Sequence, residues 1–370
     1  MNDKQNAPLP RSDLHHDHGG QPNREFTRLS VPSGPVIDFS VNVNPLGFPD
    51  ILRRRWADLI DGIDRYPSLE GDSIARFLAK RLGVPRTCVL AGNGSTEMIY
   101  LIPRVLELGR VAIVTPSYHD YYRASVLAGA EAVCAPLSAE DQFRAPSHET
   151  LENTLENADA LWLGNPNNPT GTLFPRRLLE ETASRFPEKW LIVDEAFMPF
   201  LEPRNQESLA GPSCPKNVLV IHSLTKFYGL AGLRLGAVTA SENVIKALRD
   251  AKEPWTVNSV AQNLVPLLES CTGYEAETRT LVASERPRLF RELDAMEGLD
   301  VFPSHANFLL CRPRNETSPD VLIRELLSQG ICVRDCRNFP GLESGYFRIA
   351  VRTPQENDRL LECMARLFSA

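Results

Sequence analysis

The chain has 370 residues, 42% of them hydrophobic and 24% charged, with a formal net charge of −7. This is the composition of a globular protein with a sizeable core, and the length allows about two to three domains. The negative balance, with no basic run, argues against a nucleic-acid partner. No stretch approaches the roughly 20 apolar residues of a membrane span, so a cytoplasmic protein with no membrane partner is expected.

Residues 1–36 are rich in Pro, Gly and charge and read as an arm. His15, His16, Asp17 and His18 within it read either as a metal cluster or as plain arm; the arm is the simpler reading, and no metal is expected. From about residue 50, amphipathic stretches at 72–82, 96–108, 119–129 and 175–186 alternate with apolar runs at 88–91, 111–114, 160–163, 191–193 and 218–221. Continuous apolar strands separated by helices predict an α/β fold, with a mostly parallel central sheet flanked by helices. A ligand then sits at the carboxyl ends of the strands. After about residue 261 the pattern changes: helical runs at 261–295, 319–329 and 355–368 accompany short strands at 301–302, 307–311 and 347–351, reading as a smaller α+β domain. The expected division is 1–50 as arm and part of the small domain, 51–260 as the large ligand-binding domain, and 261–370 as the small C-terminal domain. Eight scattered cysteines form no C-x-x-C pair and are expected to be reduced and mostly buried.

The motifs follow the strands. Strand 88–91 runs into Gly92-Asn93-Gly94-Ser95-Thr96-Glu97, where glycines permit a tight turn and a helix start offers free N–H groups to an anion. The same residues also suit an ordinary capped helix. Strand 160–163 runs into Asn165-Pro166-Asn167-Asn168-Pro169-Thr170-Gly171, a rigid turn with more amides than a turn requires. Strand 191–193 ends in Asp194-Glu195-Ala196-Phe197, a carboxylate that needs a partner or serves as a cap. Strand 218–221 delivers Ser223-Leu224-Thr225-Lys226, with Arg234 eight positions on. A lysine there becomes chemically useful if its amine is held neutral enough to form a Schiff base, with Ser223, Thr225 and Arg234 beside it as phosphate ligands. An aldehyde plus a phosphate describes pyridoxal 5'-phosphate.

In this order on successive strands, the motifs resemble the fold-type I pyridoxal-phosphate enzymes, the aspartate aminotransferase superfamily, over essentially the whole chain. The resemblance implies that Lys226 carries the cofactor, that Asp194 pairs with the pyridine nitrogen, and that Asn168 bonds the ring hydroxyl oxygen. It implies that Ser95, Thr96, Ser223 and Arg234 hold the phosphate and that Tyr118 stacks on the ring. Arg348 would grip a substrate carboxylate. Tyr66 matches a tyrosine that reaches the neighbouring subunit's cofactor phosphate, so a homodimer is implied.

Within the superfamily the chain is similar to the threonine-phosphate decarboxylases, which make the aminopropanol phosphate of cobalamin. The segments are His18-Gly19-Gly20, Asp38 to Gly47, Ser223 to Tyr228, Pro254 to Asn258 and Asn338 to Leu342. Phe197 stands where many aminotransferases have tyrosine; losing that donor leaves the Schiff base protonated to higher pH. The expected reaction is decarboxylation of L-threonine O-3-phosphate or L-serine O-phosphate, with Lys226 returning a proton to Cα. Arg334, Arg348 and Arg352 are the expected clamps for carboxylate and phosphate, with Asn42, His18, Gly19 and Gly20 closing over the phosphate. The alternatives are a histidinol-phosphate aminotransferase and, more distantly, a non-catalytic cofactor-binding regulator; the short Pro/Gly-rich N-terminal segment has no room for a DNA-binding domain.

Overall fold

The computed structural model describes residues 19–201, 204–314 and 319–368. His18 and the other residues of the His15–His18 cluster lie outside the described residues.

A short strand, Ile37–Asp38 (β1), is followed by the strands of a seven-stranded sheet: Val89–Asn93 (β2), Arg110–Thr115 (β3), Glu131–Pro136 (β4), Ala160–Gly164 (β5), Trp190–Asp194 (β6), Val218–Ser223 (β7) and Leu235–Thr239 (β8). Their order is β2-β8-β7-β6-β5-β3-β4. Neighbours from β7 to β4 run parallel. β8 is antiparallel to both β7 and β2. The parallel strands are buried on both faces, as their unbroken apolar runs require. On one face Ile113, Trp162, Ile192 and Leu219 pack with Met98, Ile99 and Ile102 of the helix Gly94–Val105 and with Ile245 and Leu248 of the helix Glu242–Ala251. On the other, Val114, Leu163, Val193 and Val220 meet Leu151, Leu155, Leu178 and Leu179 of the helices His148–Glu156 and Arg176–Arg185. Each fully buried side chain of this kind contributes roughly 1.5–3 kcal/mol.

The later strands are Leu299–Val301 (β9), Phe308–Pro313 (β10), Ile331–Cys332 (β11), Arg334–Asp335 (β12) and Phe347–Ala350 (β13). Four of them form an antiparallel sheet in the order β12-β13-β10-β9. β11 pairs in parallel with β1, which ties the N-terminal segment to the C-terminal part of the chain. Phe26, Leu29 and Phe39 are buried there with Leu289, Leu309, Ile349 and Leu360. The helix Ser259–Leu268 packs instead on Asp72–Leu82, through Leu264 and Val265 against Ile74 and Leu78. Among the described residues, no helix is long and apolar enough to cross a membrane.

Candidate active site

The carboxyl ends of β2, β3, β5, β6 and β7 open onto one cavity of about 180 Å³, closed from the far side by β12, β13 and residues 40–42. The motifs lie there because each loop leaves its strand at that edge.

One end of the cavity is a cup of hydrogen-bond donors. Gly94 has φ +75°, and a Cβ there would lie 2.4 Å from Arg234 Nη2. A Cβ on Gly236 would lie 2.1 Å from the Ser95 nitrogen, so only glycine lets β8 pass beneath this helix start. Arg234 itself sits at φ 55°, a conformation that is strained for arginine and aims its side chain over the cup. Its carbonyl accepts from Gly94 N–H (3.0 Å), and its Nη2 donates to Thr96 Oγ1 (3.2 Å). Ser223 Oγ and Thr225 Oγ1 lie 2.7 Å apart and line the same cavity. Hydroxyls, helix N–H groups and a guanidinium converging in this way favour a phosphate.

Lys226 is half-buried beside this cup. Burial, and then the positive charges of Arg348 and Arg234, lower its pKa to about 8, while Asp194 opposes the shift. At pH 7 about a tenth of such amines are neutral, against about three in ten thousand for an ordinary lysine. Asparagine pins the lysine's turn: Asn44 N–H donates to the Lys226 carbonyl (2.9 Å), and Asn44 Nδ2 donates to the Phe227 carbonyl (2.6 Å) and to Thr278 Oγ1 (2.7 Å). Asp194 ends β6 with both oxygens held, Oδ1 by Ala196 N–H (2.9 Å) and Oδ2 by the Tyr121 hydroxyl (2.9 Å). Burial nonetheless raises its pKa to about 6; the two donors and Lys226 pull the other way.

The opposite wall is cationic. Arg334 and Arg348 face each other as register partners across β12 and β13, each 6% exposed. Arg348 bonds neutral acceptors, Asn168 Oδ1 and the Ser40 carbonyl (2.8 Å), and burial lowers its pKa to about 10. Arg334 Nη2 donates to Asn338 Oδ1 (2.9 Å). With its oxygen taken by Arg348, the Asn168 amide keeps Nδ2 as the group that can donate to a ligand.

Thirteen of the expected site residues line this cavity: Gly19, Asn42, Ser95, Thr96, Tyr118, Asn168, Asp194, Ser223, Thr225, Lys226, Arg234, Arg334 and Arg348. Three described ones do not. Arg352 is drawn away by Glu356 Oε1 (2.9 Å) and the Asp38 carbonyl (3.1 Å). Gly20 lies one residue beyond the lining, its N–H bonded to Ser40 Oγ (2.8 Å). Tyr66 is 82% exposed and packs at a tilt against Trp255 with ring centroids 4.8 Å apart. Of the three asparagines in the 165–171 turn, two serve the turn itself. Asn165 Nδ2 donates to the Phe174 carbonyl, and Asn167 Nδ2 donates to Pro116 O and Thr170 Oγ1, so both hold the loop itself. Two contributors escaped the sequence reading. Tyr121 carries the Asp194 contact, and its signal was its place three residues after Tyr118 on one helix face. Asn44 lay inside a quoted motif, but its partner is 182 positions away, beyond any local pattern.

These residues fit pyridoxal 5'-phosphate. The glycine-cleared cup matches the phosphate, Lys226 offers an amine, Asp194 a carboxylate for a ring nitrogen, and Tyr118 an aromatic face. Asn42 supports a polar ligand as well, since it is 3% exposed and its Oδ1 has no hydrogen-bond partner among the described residues. The family of class I and II aminotransferases matches residues 34–364. Over 355 residues the chain is 35% identical to the threonine-phosphate decarboxylase of Salmonella typhimurium, covering 95% of this chain and 96% of that one. Over 358 residues it is 32% identical to a histidinol-phosphate aminotransferase of Desulfitobacterium hafniense, covering 93% and 95%. The solved L-threonine-O-3-phosphate decarboxylase from Porphyromonas gingivalis superposes with a TM-score of 0.79 at 25% identity, covering 90% of this chain and 99% of that one. With the cup, the lysine and the carboxylate in place, the chain belongs to the class I and II aminotransferase family and is a pyridoxal-phosphate-dependent enzyme of fold-type I.

Proposed function

We propose that this enzyme decarboxylates a phosphorylated hydroxy-amino acid, L-threonine O-3-phosphate or L-serine O-phosphate, to the amino-alcohol phosphate used in the cobalamin nucleotide loop. The observation that carries the reading is the opposed pair Arg334 and Arg348. Like charges directly across a strand pair repel, and burial adds to the penalty. Both guanidiniums line the cavity, and Arg348 donates to Asn168 Oδ1 and the Ser40 carbonyl, acceptors that carry no charge. Two guanidiniums side by side on one cavity wall suit a substrate that bears both a carboxylate and a phosphate. The 35% identity to a threonine-phosphate decarboxylase supports the same reading.

When bound, the cofactor supplies an electron sink. The protein's part is orientation. Arg348 would hold the substrate carboxylate, and Arg334, Asn338 and Asn42 would hold its phosphate, so that the two clamps fix how the substrate is turned about Cα. Lys226, in its ammonium form, would give Cα the proton that takes the place of the departed carboxylate, leaving the neutral amine. Phe197 places a ring, packed edge-on against Phe308 at 5.0 Å, where a hydroxyl donor would otherwise stand. The active form is a homodimer in which Tyr66 reaches the partner's phosphate cup. Tyr66 and Trp255, in contact with each other, are exposed, as are Trp56, Ile60 and Ile63, large side chains of the kind that a second subunit covers.

The test is incubation of the holoenzyme with threonine phosphate, with serine phosphate, and with histidinol phosphate plus 2-oxoglutarate. Carbon dioxide and an amine phosphate from one or both phospho-amino acids are expected. Steady glutamate formation from the third mixture, with no gas from the first two, assigns the chain to the aminotransferases instead.

A further inference from the structure

Behind the phosphate cup lies an ion pair that the reaction itself does not use. Glu97 is in the first turn of the helix Gly94–Val105, where an acid and a bound phosphate would compete for the same N–H groups. Its Oε2 accepts from Asn93 N–H at 2.5 Å, and Gly94 N–H goes to the Arg234 carbonyl. The next two N–H groups, those of Ser95 and Thr96, belong to cavity-lining residues. Glu97 Oε1 lies 3.4 Å from Lys252 Nζ, and the Lys252 side chain is only 4% exposed. That amine also donates to Thr256 Oγ1 and to the Glu253 carbonyl. Lysine is rarely so buried without a partner that needs it.

We propose that Glu97 and Lys252 are a positioning pair for the cofactor phosphate. Glu97 fixes the entry of the turn through Asn93, which hands the following N–H groups to the phosphate. Lys252 cancels the carboxylate's charge so that it does not repel that phosphate. The same lysine tethers residues 252–256, and with them Trp255, the ring on which Tyr66 rests. The inference rests on the reading of the cup as the cofactor-phosphate site.

The experiment measures the dissociation constant of pyridoxal phosphate, by absorbance and equilibrium dialysis, on enzyme first stripped of cofactor. Lys252→Met leaves an uncompensated carboxylate at the helix start and should weaken binding roughly tenfold, within the range of charge effects at partly buried helix ends. Lys252→Arg should bind as the wild type does. Glu97→Gln keeps an acceptor for Asn93 and should bind at least as tightly as the wild type. In the double variant Glu97→Gln/Lys252→Met, most of the lost affinity should return, although it lacks the same amine; a mere packing defect at position 252 would persist there. Wild-type affinity in Lys252→Met, or no recovery in the double variant, overturns the proposal. Arg234→Met separates the two levels. If it weakens binding while Lys252→Met does not, the pair is irrelevant and the cup stands. If neither weakens binding, the cup reading itself is wrong.

Discussion

Replacing Lys226 by methionine should stabilise the cofactor-free protein, and the gain should depend on pH in a defined way. In the folded chain the amine's pKa falls from 10.5 to about 8, chiefly through burial. That fall corresponds to about 3.4 kcal/mol against the charged form. Methionine has a similar length and no charge, so the penalty disappears. Part of the gain is lost because Lys226 also helps keep Asp194 ionised, and the lone carboxylate then sits less comfortably. A net gain of about 2 kcal/mol at pH 7 is the expected balance. Between pH 8 and 10.5 the unfolded wild-type chain binds more protons at this site than the folded one. Wild-type stability therefore rises with pH across that window relative to the variant, and the difference between them shrinks towards zero by about pH 10.5. Urea unfolding of both apo proteins at matched concentration, in half-unit steps from pH 7 to 10.5, measures this directly. A variant less stable than the wild type at pH 7, or a difference that stays flat with pH, refutes the claim that Lys226 is held as a penalised cation.

Borohydride reduction of the yellow holoenzyme should fix the cofactor on Lys226, as peptide mapping would show, and a label on another lysine would displace it from its role. Asp194→Asn should retain cofactor yet lose most turnover, because the ring nitrogen no longer has a carboxylate to hold its proton; near-normal kcat would make Asp194 structural. Arg348→Ala and Arg334→Ala should each cost about 1.5–3 kcal/mol or more in kcat/KM, the value of one charge-assisted contact. Arg352→Ala, whose guanidinium is held by Glu356 outside the cavity, should leave kcat/KM close to that of the wild type. Sedimentation should find a dimer, and a fully active monomer would remove the reason for Tyr66's exposure.

The core of the site was legible because its chemistry is local. Ser223, Thr225, Lys226 and Asp194 each follow a continuous apolar run, and such runs reveal both the strand and the edge at which it ends. What escaped was whatever depends on a distant partner. Asn165, Asn167 and Asn168 are indistinguishable by composition, and only the neighbouring Phe174, Pro116 and Arg348 decide which of them faces the cavity. Arg352 matched the arginines before it in chemistry, but Glu356, one helical turn on, captures it. β8 was not anticipated, since Leu235-Gly236-Ala237-Val238-Thr239 follows a glycine-bearing loop and reads as its continuation. β4 was missed because Glu131 and Pro136, at its ends, belong to an edge strand and dilute the apolar signal.

The pairing of β1 with β11 also bears on how the enzyme is made. Arg348 reaches the Ser40 carbonyl across 308 positions of sequence, while Asn44 holds the turn of Lys226. During synthesis the ribosome therefore releases the large sheet, with its lysine and phosphate cup, well before the strands that carry Arg334 and Arg348 emerge. Closing so long a loop is slow because its entropy is lost before the contacts form. A nascent chain thus passes through a stage in which the lysine and the cup of donors exist without the arginine wall opposite them. Any ligand that binds only the completed site would then favour the fold that the remaining hundred or so residues complete.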